Sequence, residues 1–181
     1  MRTFCFSSKT SVKRGISLLY NFKVRKKALI VSFNKIRLYQ PVFQGKKIVL
    51  VGGCFDLLHY GHLQFIKKAK KTGEFLVVAL ESDEFIKKNK RAAPIHNQKE
   101  RAEILSSLNI VDLIILLPYF SSNKEYFQMV RTISPKIVAV TEGDPQLENK
   151  RKQIKQIGGQ LKVVTPLLKK FSTRKIISEF N

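Results

Sequence analysis

Residues 47–71 read KIVLVGGCFDLLHYGHLQFIKKAKK, and no other stretch of the chain limits its fold as tightly. Residues 48–51 form a short apolar, β-branched run of the kind buried on both faces of a parallel sheet. Gly52 and Gly53 end it, allowing a sharp turn and a close approach of backbone to ligand. From His62 the period changes: Leu63, Ile66 and Ala69 or Lys70 recur at three- and four-residue spacing, with lysines on the other face. Strand, glycine turn and helix in this order bring free N–H groups and the positive end of a helix to one place, where a phosphate can bind.

Two of the three histidines, His59 and His62, sit in that turn with Gly61 between them. With a helix starting near Gly61, both imidazoles lie at its positive end and can face one point. There they can donate hydrogen bonds to phosphoryl oxygens as charge builds during transfer. The plainer alternative has one histidine capping the helix and the other solvated in the turn.

The string GGCFDLLHYGH closely resembles the signature of the cytidylyltransferase-like nucleotidyltransferases, G-x-F-D-x-x-H-x-G-H after the first strand. The resemblance implies a Rossmann-like α/β fold and transfer of a nucleoside monophosphate from ATP or CTP to a phosphorylated acceptor, with release of pyrophosphate. It implies that His59 and His62 stabilise the transition state. Gly53, Cys54, Phe55 and Gly61 would line the nucleotide site, and Mg²⁺ would accompany the triphosphate.

Downstream, strands are expected over 75–80, 112–117, 137–141 and 161–165, alternating with helices. With the opening strand they make a doubly wound, five-stranded parallel sheet. Asp83 is expected to cap a short helix through Ile86. The basic stretch 87–94 then reads as a loop at the ligand-binding edge, where Lys88 or Lys90 would hold acceptor and α-phosphate together. Asn97 and Glu100 have capping-box spacing, and Arg101 resembles the family's nucleotide-binding arginine. Gly143 and Asp144 form a turn after the fourth strand. Ser172 and Thr173 open the last expected helix and are similar to the family's S-T-T or S-T-S element, with Arg174 in place of a third hydroxyl.

Charge divides the chain. Its net +21 suits polyanions, and twelve lysines and arginines precede the first acid, Asp56. Residues 1–44 therefore read as a basic extension, disordered or loosely attached, with residues 45–181 as the domain. Whether the extension is a targeting segment, a functional arm or the product of an upstream start is left open, although the apolar patch 28–33 looks more like a strand or an interfacial segment. Contact of this arm with nucleic acid or an acidic membrane and a homodimer are left open too. The expected compartment is the cytoplasm, with organellar import through residues 1–44 as the alternative. Cys5 and Cys54 give neither a disulfide framework nor metal-ligand spacing.

Within the family, residues 53–56, the 93–95 loop and the 142–144 turn look most like the domain that adenylylates heptose 1-phosphate. Thr141 and Glu142 in place of Lys-Gly, Ala93 in place of arginine, and Lys169-Lys170 in place of an acid-glycine pair depart from it. Glycerol 3-phosphate cytidylyltransferase is the near alternative, and an FAD-forming adenylyltransferase the third. A reading of another class is a non-catalytic nucleotide- or RNA-binding protein on the same fold.

Overall fold

The computed structural model describes residues 27–90, 92–166, 171 and 176. Six strands alternate with helices: β1 (Leu29–Ser32), a 3₁₀ segment (Phe33–Tyr39), α1 (Gln40–Phe43), β2 (Ile48–Gly53), α2 (Tyr60–Lys70), β3 (Phe75–Leu80), α3 (Asp83–Lys90), α4 (Gln98–Ser106), β4 (Leu113–Leu116), α5 (Asn123–Ile133), β5 (Ile137–Thr141), α6 (Leu147–Gln156) and β6 (Gln160–Thr165). Every strand pair is parallel, in the order β1-β4-β3-β2-β5-β6. From β2 the chain winds outward through β3 to β4, then returns to the other side of β2 as β5. The C-terminal ends of β2 and β5 therefore form the topological switch point, where ligands of such sheets bind.

Register sharpens this. β2 pairs with β3 over six residues, but with β5 over only two, Val49 with Ile137 and Leu50 with Val138. Beyond Leu50 the two strands part, and the sheet opens a crevice beside Gly52 and Gly53. Alternating side chains feed two apolar layers. Leu50, Val77, Ala79, Ile115 and Val138 pack with Met129, Val130 and Ile133 of α5 and with Ile154 of α6. Val49, Val51, Leu76, Val78 and Ile114 pack with Phe65, Ile66 and Ala69 of α2 and with Ala102 and Leu105 of α4.

The sheet has six strands where five were expected. The extra one, β1, is the apolar patch of the basic extension: it pairs with β4 through four residues, and Ala28, Val31, Ile36 and Phe43 are buried in the two layers. The second half of the stretch expected to stand apart thus covers an edge of the sheet, while residues 1–26 lie outside the described ones. At the other end, the expected helix from Ser172 also lies outside them, apart from Ile176, which is helical.

The expected loop 87–94 begins later than its composition suggested. Residues 87–90 continue α3, where Lys88 meets Glu84 one turn back at 2.8 Å and the Asn89 amide donates to the Phe85 carbonyl at 3.0 Å. The cap also differs: the Phe85 N–H donates to the Ser82 hydroxyl, which frees Asp83 for another partner. The capping box of Asn97 and Glu100 is formed in both directions.

Candidate active site

At the end of β2 the backbone makes a turn that few sequences tolerate. Phe55 and Leu57 have φ of 47° and 49°, in the left-handed region that disfavours residues with a Cβ. Buried contacts hold them there. The Phe55 ring is buried against His62, centroids 5.2 Å apart. A Cβ on Gly53 would come within 3.1 Å of the Phe55 ring, so only glycine leaves that ring its place. Asp56, also buried, accepts from the backbone N–H of Ile95 at 3.0 Å and of His96 at 3.1 Å. That ties the turn to the loop before α4.

His59 is the N-cap of α2, its Nδ1 accepting from the His62 N–H at 3.3 Å. With Nδ1 an acceptor, the neutral ring carries its proton on Nε2. The two imidazoles stack 3.8 Å apart with planes 17° from parallel. Burial lowers the pKa of His59, and Lys90 lowers it further. His62 is pushed down to about 3, by burial first and then by His59 and Lys90. Both rings are therefore neutral at physiological pH in the free protein. Half of the plainer alternative holds: His59 caps the helix, but His62 is largely buried rather than solvated in the turn.

Gly61 has a more specific role than expected. A Cβ there would meet the His59 ring at 3.0–3.1 Å and the Phe171 Cβ at 3.4 Å; the missing side chain makes room for the histidine. Gly61→Ala should push His59 out of its stack. A displacement of that kind lowers turnover on the order of tenfold to a hundredfold, which steady-state kinetics would detect with little change in secondary structure by circular dichroism.

The two lysines take different places along α3. Lys90 lies near enough to Cys54, His59 and His62 to bear on the titration of all three. Lys88 points elsewhere, paired with Glu84 and set 4.0 Å over the Tyr119 ring. Cys54 stays a thiol, since burial raises its pKa. Arg101 does not enter the turn but stands behind it, with its side chain fully buried. It donates to the carbonyls of Cys54, Glu81 (2.9 Å) and His96 (3.0 Å) and to Asp83 Oδ1 at 2.7 Å. One guanidinium thus joins the ends of β2 and β3, the start of α3 and the loop before α4. Gly143, with φ of 73°, gives the tight turn after β5. Asp144 in that turn accepts from Lys150 at 2.6 Å and from the Gln146 N–H at 2.8 Å. Ser172, Thr173, Arg174, Lys169 and Lys170 lie outside the described residues, but Phe171, just before Ser172, packs its ring 5.2 Å from that of Tyr60 at the start of α2.

Two further residues shape this edge. The Gln98 amide donates to the carbonyls of Leu80 (3.0 Å) and Leu117 (2.8 Å), joining the ends of β3 and β4. Glu81, first after β3, is 8 % exposed and accepts from the Tyr126 hydroxyl. Burial pushes its pKa up to about 7, against the opposing pulls of Tyr126, Lys150 and Arg101. The sequence signal for Glu81 was its position just after the C-terminal end of a parallel strand, and Gln98 carried no such signal.

A carboxyl whose folded pKa is raised holds its proton to higher pH than the unfolded chain does. Its penalty is absent below the unfolded value, near 4.5, and grows until the folded value is passed. Glu81→Gln keeps the acceptor for Tyr126 and removes the charge. It should stabilise the protein by on the order of 2 kcal/mol at pH 8 and by little at pH 4.5, as urea unfolding at the two pH values would measure.

A family model described as cytidylyltransferase-like matches residues 50–177. The bifunctional protein HldE of Desulfatibacillum aliphaticivorans is 34 % identical over 140 residues, 75 % of this chain and 27 % of that one. FAD synthase of Thermococcus onnurineus is 43 % identical over 96 residues, 52 % of this chain and 62 % of that one. The chain thus spans about a quarter of the length of the bifunctional relatives it matches. Among solved structures, a lipopolysaccharide core biosynthesis protein from Thermoplasma volcanium aligns with a TM-score of 0.56 at 29 % identity, over 67 % of this chain and 96 % of that one.

Proposed function

The chain belongs to the cytidylyltransferase-like family, and from that premise we propose that it is a nucleotidyltransferase that moves a nucleoside monophosphate from ATP to a sugar 1-phosphate of the heptose type. The acceptor's phosphate oxygen attacks the α-phosphorus, the bond from that phosphorus to the bridging oxygen breaks, and pyrophosphate leaves. The observation that carries the reading is the meeting of the neutral His59–His62 pair, the Gly53–Cys54–Phe55 turn and Lys90 at the switch point of the sheet.

In that arrangement neutral imidazoles donate to the phosphoryl oxygens and gain strength as those oxygens take on charge. Lys90 supplies the fixed positive charge, and Arg101 holds the backbone on which the turn depends. Among the described residues no group of three or more His, Cys, Asp or Glu side chains is placed to hold an ion. A divalent cation would arrive on the triphosphate, as part of the substrate.

ATP and a sugar phosphate are favoured by the relatives, one named a bifunctional HldE protein and another a lipopolysaccharide core biosynthesis protein. A pyrophosphate-release screen of ATP and CTP, each against heptose 1-phosphate, glycerol 3-phosphate and flavin mononucleotide, tests the choice. Release is expected with ATP and heptose 1-phosphate. Release only with CTP and glycerol 3-phosphate would replace the substrate pair, and silence with every pair would move weight to a binding protein on this fold.

A further inference from the structure

Because every strand pair is parallel, all six strands start at one edge of the sheet, opposite the histidine turn. That edge gathers positive charge. Lys27 precedes β1, Lys46 and Lys47 precede β2 and Lys136 precedes β5, all of them exposed. The C-terminal ends of α2, α5 and α6 arrive there too, with Lys71, Arg131 and Lys155. A helix dipole accounts for cations at helix ends, but Lys27, Lys47 and Lys136 lie outside the helices. The acids at these strand starts are engaged: Glu74 accepts from the Lys47 N–H at 2.7 Å, and Asp112 accepts from Lys70 and the Leu76 N–H. Among the described residues, none of the seven cations just named forms an ion pair.

Aliphatic side chains turn outward beside this charge. In a 3₁₀ turn residues three apart share a face, so Phe33, Ile36 and Tyr39 pack against the core and leave Lys35 and Leu38 outside. Leu38 is 78 % exposed, and Val42, one helical turn on, is 37 % exposed. Lys46 donates to the Val42 carbonyl at 2.8 Å, which joins this ridge to the basic edge. Residues 1–26 reach the fold at Lys27, on the same edge, and carry seven lysines and arginines with no acid.

We propose that this edge docks on the surface of an anionic lipid bilayer, its lysines meeting headgroup phosphates while Leu38 and Val42 enter between the headgroups. Anionic headgroups attract basic residues, and the aliphatic ridge gives the second signal that lasting attachment requires. Lysine suits the place, since its stem can lie along apolar surface with its ammonium at the headgroups. Nucleic acid is less well served. Of the exposed large hydrophobics among the described residues only Tyr60 is aromatic, and it stands at the histidine end, so this edge offers no ring for a base to stack on. A second copy of the chain would press the same unpaired cations against these. Docked on its strand starts, the molecule would carry Gly53 about 20 Å from the bilayer, the rise of a six-residue strand, with the histidine turn facing solvent. The proposal stands on charge and exposure alone and is independent of the transfer reading.

Cosedimentation of the full chain with vesicles tests it, using phosphatidylcholine alone and phosphatidylcholine mixed with phosphatidylglycerol. Wild type should sediment with the mixed vesicles and stay in solution with the neutral ones. Lys46→Gln, Lys47→Gln and Lys136→Gln together should weaken binding on the order of tenfold or more. Leu38→Ser with Val42→Ser should weaken it by about fivefold or more. Every changed side chain is exposed, so both variants should keep the wild-type urea midpoint, and lost binding is then not lost folding. Equal binding to both kinds of vesicle, or to neither, would overturn the proposal. So would undiminished binding in both variants, which would place the attraction in residues 1–26 alone. Release of the protein from mixed vesicles by single-stranded RNA at equal phosphate concentration would overturn it in favour of nucleic acid. A lipid-free dimer that the Leu38→Ser, Val42→Ser variant dissociates, seen by light scattering, would overturn it in favour of a second copy.

Discussion

His62→Ala is expected to lower turnover by on the order of a hundredfold or more while leaving nucleotide affinity nearly unchanged. The split follows from the state of the ring. His62 is neutral in the free protein, pushed down to about 3 by burial, by His59 and by Lys90. A neutral donor contributes modestly to ground-state binding of a triphosphate. Its hydrogen bond strengthens when charge accumulates on the oxygens in flight, so the loss falls on kcat. Removing the ring also takes away the face that His59 stacks on, so the double variant with His59→Ala should lose less than the product of the two single losses. Steady-state kinetics with pyrophosphate detection, together with calorimetric titration of the nucleotide, separates the two quantities. Wild-type turnover in His62→Ala would mean that the pair does not act on the transition state.

The largest stability effect belongs to Arg101. Replacing it with methionine keeps most of the apolar stem and deletes the guanidinium, stranding the carbonyls of Cys54, Glu81 and His96 and the carboxylate of Asp83. Breaking a buried pair by removing one partner typically destabilises by about 3–5 kcal/mol, and urea unfolding would register a loss of that size. Lysine is no substitute, because a single ammonium cannot reach four acceptors in a planar fork. Arg101→Lys should therefore fall nearer to methionine than to wild type. A loss below about 1 kcal/mol in the methionine variant, the range of an exposed ion pair, would show that the carbonyls find other donors. Because the Cys54 carbonyl belongs to the turn, turnover should drop in the same variants under conditions where they remain folded.

Much of this edge was legible in the sequence because it is written locally. Helix α5, Asn123–Ile133, has its apolar residues at helical spacing. The capping box at Asn97 was legible for the same reason, and β3 is a continuous apolar run that leaves no alternative phase. What failed was composition standing in for structure. The run at Lys87, Lys88 and Lys90 suggested a loop, yet it continues a helix whose Glu84 and Phe85, one turn back, supply partners for Lys88 and Asn89. The strand β1 read as a strand-like apolar patch, but the basic residues around it set it apart from the domain, although its four residues find a ready partner in β4.

Long-range partners were not legible at all. The family resemblance marks Arg101, but only the fold reveals four acceptors from separate elements around its side chain. Glu81 and Tyr126 lie 45 residues apart. Nothing local pairs them, and the cavity they border exists only because β2 and β5 diverge after two rungs.

Nucleotidyl transfer at this turn breaks the bond between the α-phosphorus of the nucleotide and the oxygen that bridges it to the β-phosphate. Label transfer from ATP carrying radioactive phosphorus at the α or the γ position tests it most directly, with heptose 1-phosphate as acceptor and the full chain as enzyme. The α label should pass into a nucleotide-sugar product, and the γ label should appear only in pyrophosphate. Passage of the γ label to the acceptor, or retention of the α label in free nucleotide after prolonged incubation, would contradict nucleotidyl transfer at the histidine turn.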